Sequence, residues 1–152
     1  VGGKSVDPCY RIYKFSTNRR HSNAAELLKD YRGVLHSDKY GAYETLANKG
    51  ELVWCPCWAH IRRKFLEAES GDPPFREWVL RQIKYLFMFE RVAWVRSEEE
   101  RLRIRQEKEV PIIDNLITAI REKLTFGKIL PKSKFREALG YFCGLIPYLK
   151  NY

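Results

Sequence analysis

Cysteine and uninterrupted apolar runs are both scarce in this chain of 152 residues. Its four cysteines are too few and too scattered for the disulfide framework of a small secreted protein, so we expect a reducing, cytoplasmic compartment. No signal peptide is recognisable. The most apolar window, residues 78–95, predicts a buried amphipathic helix and no membrane span, because four charged side chains interrupt it: Arg81, Lys84, Glu90 and Arg91.

Acidic residues are too few to balance the basic ones. The chain has 28 lysines and arginines against 19 aspartates and glutamates, and its net charge of +9 favours an anionic partner, nucleic acid first. The excess lies in residues 1–36, with seven basic and three acidic side chains, and in residues 121–152, with seven and two. Residues 96–109 carry five of each sign and predict a salt-bridged helix surface.

The apolar residues, 45% of the chain, suffice for a folded core. Two short apolar runs, residues 33–36 and 51–54, flank a segment with helical spacing, which predicts a unit of strand, helix and parallel strand. Asp38 comes just after the first run. In such sheets the functional groups collect at the ends of the strands.

The rest of the chain predicts one more strand and then helices. Residues 10–15 are aromatic and β-branched enough for a strand, and Ser22 is expected to cap a helix that runs to about residue 30. From residue 71 onward the pattern is helical only. We therefore expect a partial α/β core of about three strands over residues 1–70, followed by an all-helical region over residues 71–152. Three strands make an incomplete layer, so part of the domain is expected outside this chain.

The predicted helices have specific signals. The helix after the second run carries an apolar stripe at Trp58, Ile61, Phe65 and Ala68. Residues 75–95 and 133–143 predict two further helices. Ser97 and Glu100 form a capping box for a long helix that Pro111 should kink or break. The positions expected to face inward in that long helix are Leu102, Ile113, Leu116, Ile120 and Leu124.

Asp38 has two interpretations that the residues alone leave open. Its side chain could cap the helix expected to start at Tyr40. Alternatively, it is a metal-binding carboxylate, since hard divalent cations such as magnesium take oxygen ligands and a strand end holds such a ligand rigidly.

Cys55, Cys57 and His60 form a C-x-C-x-x-H pattern. A closed zinc site needs four ligands, usually in two pairs, and no second pair is present. We therefore expect no zinc; the favoured interpretation is a strand-to-helix junction with buried cysteines and a hydrogen-bonded histidine.

Arg62, Arg63 and Lys64 form a basic run near the expected start of a helix, where the helix dipole disfavours cations. Such a run indicates a nearby anion, for example a phosphate backbone, although a solvated helix face is an equal alternative. Arg19 and Arg20, in the basic first 36 residues, are further candidate DNA contacts.

The order of these residues resembles the insertion-sequence-sixty-six family of bacterial DDE transposases. The first half of the resemblance is carried by Tyr31-Arg32-Gly33, then Asp38 with Tyr40 and Tyr43, then Cys57-Trp58-Ala59-His60 and Arg62-Arg63-Lys64-Phe65. The second half is carried by Arg105-Gln106, Pro111, Leu130-Pro131-Lys132-Ser133, Ala138-Leu139 and Tyr141.

The resemblance implies a ribonuclease-H-like core in which three acidic residues hold two magnesium or manganese ions, with a helical insertion between the second and third acids. Asp38 matches the second acid. The first and third are expected before Val1 and after Tyr152, and Asp114 is not taken as the third because no matching glutamate follows it. The family usually has a small residue where this chain has Lys39.

The expected function is therefore that of a transposase segment, with metal-dependent DNA cleavage and strand transfer in the intact protein and no activity in this chain alone. Its expected partners are DNA and further copies of itself in a homo-oligomer, without a membrane. The alternative is a non-catalytic basic module for DNA binding or self-association.

Overall fold

The computed structural model of the protein describes residues 13–18, 20–50 and 52–151. Its two strands are β1 (Val34–Ser37) and β2 (Val53–Pro56). The α-helices are α1 (His21–Leu28), α2 (Gly41–Asn48), α3 (Trp58–Glu67), α4 (Pro73–Ala93), α5 (Glu98–Ile104), α6 (Val110–Phe126) and α7 (Lys134–Cys143). A π-helical turn (Arg105–Glu109) joins α5 to α6, and a 3-10 turn (Ile146–Tyr148) follows α7.

The unit of β1, α2 and β2 confirms the predicted parallel pair. The register runs from Val34 opposite Val53 to Ser37 opposite Pro56. The two strands are also joined by a side-chain bond, since the indole Nε1 of the fully buried Trp54 donates to Ser37 Oγ at 2.9 Å. The α/β class is thus confirmed, with many helices around a small two-stranded sheet.

The strand expected over residues 10–15 is not found in its described part. Residues 13–15 have no regular secondary structure, and Tyr13 and Phe15 are each 89% exposed. Residues 10–12 lie outside the described part of the chain. Aromatic residues favour strands because they pack on a half-buried pleated surface. No such surface in the described part of the chain covers Tyr13 or Phe15.

Ser22 does not cap α1, contrary to expectation. The helix begins one residue earlier, at His21, with Arg20 as its N-cap residue. The preceding turn is held by Asn18 instead: its Oδ1 accepts from the backbone N–H of Arg20 at 3.1 Å and from Asn23 Nδ2 at 3.1 Å. These bonds fix the backbone in the turn that precedes Ser22, and the helix starts without a side-chain cap.

Pro111 interrupts the long helix in a specific way. The capping box at its start is confirmed, with Glu100 N donating to Ser97 Oγ at 3.2 Å and Ser97 N to Glu100 Oε2 at 3.4 Å. Proline lacks an N–H and crowds the preceding turn, and it lies in the first turn of α6, directly after the π-helical turn. There the backbone N–H of Val110 donates to the carbonyl of Arg105, five residues earlier.

The π-helical turn also changes which apolar positions face inward. Ile113, Leu116 and Ile120 are fully buried as expected, but Leu102 is 50% exposed. A π-helical turn contains an extra residue, so it rotates the helix before it relative to the helix after it. The expectation for Leu102 was wrong because it assumed one continuous α-helical period.

One hydrophobic core joins the βαβ unit to the helices that follow. The apolar stripe of α3 packs against α4 and α7, so the core continues across residue 70. The division at that residue stays a prediction. No helix in the described part of the chain is long and apolar enough to cross a membrane. The largest fully buried side chains are Trp54, Phe65, Phe135, Phe142, Ile61, Ile83, Ile113, Leu116, Ile120, Leu139, Leu145 and Leu149.

Candidate functional site

Asp38 lies at the carboxyl edge of the two strands. Because β1 and β2 are parallel, their carboxyl ends meet there, and Cys57 N donates to the carbonyl of Ser37 at 2.8 Å. Asp38 is half-buried and does not cap α2. The N-cap of that helix is Tyr40, whose backbone N–H donates to the main-chain carbonyl of Asp38 at 2.9 Å. The helix-cap interpretation of Asp38 is therefore wrong.

An open cleft of about 320 Å³, the Asp38 cleft, borders this carboxylate. Two cations from the preceding segment, Lys14 and Arg20, line it together with Asp38, so the described lining carries two positive charges and one negative. Arg20, a predicted DNA contact, thus lies in the same cleft as Asp38. Arg19 lies outside the described residues. The remaining lining residues are Ser16, Asn23, Ala24, Leu27, Tyr40 and Tyr43.

The loop that carries Asp38 is held against α7. The ammonium of Lys39 lies 5.5 Å from the ring centroid of Tyr141, and that of Lys64 lies 5.8 Å from it. Burial raises the pKa of the Tyr141 phenol, and a hydrogen bond with the Lys39 backbone opposes part of this shift. The role of Lys39 and Tyr141 in fixing the loop could not be predicted from sequence, since they are 102 positions apart.

The donor set around Asp38 does not by itself fit a two-metal centre. Such a centre needs several carboxylates within reach of two ions that are about 4 Å apart. Over the ranges that the structure describes, no group of three or more histidine, cysteine, aspartate or glutamate side chains is placed to hold a metal ion. Asp38 offers oxygen ligands of the right type, but among the described residues it is the only carboxylate that lines its cleft.

The C-x-C-x-x-H residues lie at the junction of β2 and α3. Cys55 is buried, and burial raises the pKa of its thiol to about 11; Cys57 is half-buried. His60 differs from expectation, because its Nδ1 is buried without a hydrogen-bond partner among the described residues. The Cys57 carbonyl, one turn earlier, already accepts from the backbone amides of His60 and Ile61. Trp58 packs edge-on against Phe142 of α7, with ring centroids 6.2 Å apart.

The basic run lies further along its helix than expected. Because α3 begins at Trp58, Lys64 falls in its last turn, where the helix dipole favours cations. The argument from an unfavourable dipole was therefore wrong. Arg63 and Lys64 approach Glu67 at 4.0 and 3.9 Å, whereas Arg62 lines a groove against α4.

Residues 96–109 are not only the salt-bridged helix surface that their balanced charge predicts. Arg105 pairs outside the segment, donating to both carboxylate oxygens of Glu90 on α4 at 2.6 and 3.1 Å. Glu109 is buried, and burial, followed by the nearby Glu90 charge, raises its pKa to about 7. Both glutamates and Arg105 line a cavity of about 310 Å³ with His36, whose pKa is lowered chiefly by burial.

Comparison with known proteins identifies the family. A family model described as "Transposase IS66 family" matches residues 2–152. The chain belongs to this family. The match confirms the resemblance carried by the motif order.

The relatives are much longer than the chain, which spans about a quarter of the length of the curated proteins it matches. Three come from Sinorhizobium fredii (strain NBRC 101917 / NGR234) and are described as uncharacterized proteins. Protein y4qI is 30% identical over 148 residues, 92% of this chain and 27% of the relative. Protein y4hP is 32% identical over 126 residues, which are 72% of this chain and 23% of the relative. Protein y4jD is 29% identical over 150 residues, which are 91% of this chain and 29% of the relative. No solved structure was found to match the chain.

Proposed function

We propose that the chain is a segment of a DNA transposase in which Asp38 supplies one metal-binding carboxylate. Membership of the transposase IS66 family supports the reaction class, DNA cleavage and strand transfer. The observation that carries the proposal is the position of Asp38 in a chain of this family. It is a half-buried carboxylate at the carboxyl edge of paired parallel strands and is not used as a helix cap.

In this proposal β1 and β2 belong to a ribonuclease-H-like core, and residues 71–152 form a helical insertion. Magnesium or manganese is the proposed cofactor, because a carboxylate offers the oxygen ligands that these cations prefer. The further ligands would come from outside the described residues. Lys14 and Arg20, which share the cleft with Asp38, would hold a DNA phosphate beside it.

DNA and further copies of the chain are the proposed partners. The net charge of +9 favours a polyanion. Among the described residues β1 and β2 pair only with each other, so each strand has an edge whose backbone groups could pair with another chain. A homo-oligomer formed along such an edge is the simplest form of self-association.

The chain alone is expected to bind duplex DNA weakly, without sequence preference, and to cleave none. Binding through several phosphates releases counterions, so the affinity should fall steeply between about 50 and 200 mM salt. Fluorescence anisotropy with two unrelated duplexes measures this. Asp38→Asn should bind at least as well, because it removes a negative charge beside the phosphate path. No binding at low salt, or a flat response to salt, would contradict a nucleic-acid surface.

A non-catalytic basic module for DNA binding or self-association is the second candidate. It is favoured by the single carboxylate among the described residues that line the Asp38 cleft. A cleavage assay on a polypeptide of the relatives' length that contains this chain distinguishes the two candidates. A transposase should cleave DNA in a manner that depends on Asp38, and a binding module should not cleave DNA at all.

A further inference from the structure

A groove between α3 and α4 brings three cations together on an apolar floor. Arg62 comes from α3, and Arg81 and Lys84 come from α4. The groove is open, with a volume of about 580 Å³, and we call it the α3–α4 groove. No acidic side chain within the described ranges lines it. Its other lining residues are Ala59, Leu80 and Phe87.

Helical spacing explains why these side chains face one another. Arg81 and Lys84 are three positions apart on α4, so they lie on the same side of that helix. Ala59 and Arg62 have the same spacing on α3, and the small side chain of Ala59 leaves the groove open. The cations are thus presented by two α-helices and not by a loop.

The two helices are firmly joined, which fixes the groove. Ile61 and Phe65 on α3 and Ile83 on α4 are fully buried in the shared core. Arg76, in the first turn of α4, donates from Nε to the carbonyl of Phe65 at 2.7 Å and from a terminal nitrogen to that of Leu66 at 2.9 Å. The groove is therefore preorganised, and an anion can bind there without reordering the backbone.

The charges in the groove are not neutralised by any side chain that the structure describes. None of Arg62, Arg81 and Lys84 has an ion-pair partner within the described part of the chain. Seven other cations in the described part of the chain are paired, for example Arg63 with Glu67 and Lys134 with Glu137. Like charges that face one another repel, so an anion in the groove would lower the free energy of this arrangement.

We propose that the α3–α4 groove binds the phosphodiester backbone of duplex DNA, as a contact separate from the Asp38 cleft. This inference rests on the proposed function, because it assumes that the chain binds DNA. An open groove with cations from two helices suits successive phosphates of a strand better than one small anion. Arg81 and Lys84, which in the sequence only interrupt an apolar helix, thereby become DNA contacts.

The test compares two double variants that remove the same charge. The first is Arg81→Gln with Lys84→Gln; the matched control is Lys49→Gln with Arg91→Gln, two exposed cations outside the groove and unpaired in the described structure. Each lost phosphate contact lowers the slope of log affinity against log salt by about 0.9. The groove variant should bind duplex DNA about tenfold more weakly at low salt, with a slope smaller by about 1.8. The control should change little, and both variants should keep the thermal unfolding of the wild type.

Each other outcome would overturn the inference in a distinguishable way. If the wild type binds DNA and the groove variant behaves like the control, the groove inference fails while the proposed function stands. If the wild type binds no DNA at low salt, both fail. If the groove variant binds DNA like the control but loses the binding of inorganic phosphate that the wild type shows at millimolar concentration, the groove is a small-anion site. If duplex RNA binds more tightly than DNA with the same dependence on the groove, it is an RNA surface.

Discussion

Glu109, at the end of the π-helical turn, is 3% exposed, and its Oε1 has no hydrogen-bond partner among the described residues. Burial raises its pKa from 4.5 to about 7. The folded protein therefore holds this proton more tightly than the unfolded chain does. By linkage, the stability that the protonated carboxyl contributes is fully present below pH 4.5 and is lost as the pH rises to about 7.

Glu109→Gln should remove this pH dependence. The variant should match the wild type near pH 4.5 and exceed its free energy of unfolding by up to about 3 kcal/mol above pH 7, because one pKa unit corresponds to about 1.4 kcal/mol. Urea unfolding at several pH values measures the difference. Glu107→Gln, at an exposed position of the same turn, is the control and should keep the wild-type profile. An unchanged pH profile in Glu109→Gln would show that the carboxyl is not buried as described.

Side-chain roles could be predicted from sequence only where they depend on neighbours in the chain. The position of Asp38 could be predicted because it follows an apolar run, and in the structure Asp38 directly follows the end of β1. The burial of Glu109 could not be predicted, since a segment with balanced charges predicts a salt-bridged helix surface. Its burial depends on α4, which packs against the π-helical turn.

At the scale of elements, local signals were the most reliable. The apolar runs predicted the parallel strands, and the capping box predicted the start of α5, because each is decided within a few residues. Pro111 predicted a break, but its form, a π-helical turn, depends on how α6 packs. The strand expected over residues 10–15 needed a neighbouring strand, which composition cannot supply.

The connection between α3 and α4 depends on a glycine. Gly71 has a φ of +131°, a conformation that residues with a side chain rarely adopt. A Cβ there would lie 2.8 Å from the Cβ and Cγ atoms of Phe135, which is 1% exposed in α7. Gly140, on the exposed side of α7, has no such neighbour: a Cβ there would meet nothing within 4 Å.

Alanine at these two glycines should have opposite effects on stability. Gly71→Ala should lower the free energy of unfolding by about 2 kcal/mol or more, since it adds backbone strain to a clash with a buried ring. Gly140→Ala should raise it by about 0.5 to 1 kcal/mol, because alanine restricts the unfolded chain and favours the helix. Chemical denaturation of both variants measures the difference. Equal effects would contradict the described packing of the connection on α7.

At the scale of the whole molecule, the two candidate DNA contacts begin at the same edge of the sheet. Asp38 follows β1, and α3, which carries Arg62, follows β2 after Cys57 alone. The α7 helix contacts the Asp38 loop and α3, because Tyr141 lies beside Lys39 of that loop and Lys64 of that helix. The helical region thus supports the proposed site as well as the core. The chain spans about a quarter of its relatives' length. We therefore propose that the carboxylates that a two-metal site needs besides Asp38 come from other parts of proteins of that length.

DNA cleavage tests the proposed role of Asp38 most directly. The assay uses a polypeptide of the relatives' length that contains this chain, with magnesium or manganese, on a plasmid that carries its reading frame and the flanking DNA. Asp38→Asn should abolish cleavage and leave DNA affinity at the wild-type level or higher, because one metal ligand is lost while the cations remain. Cleavage undiminished in Asp38→Asn would contradict the assignment of Asp38 as a metal-binding carboxylate.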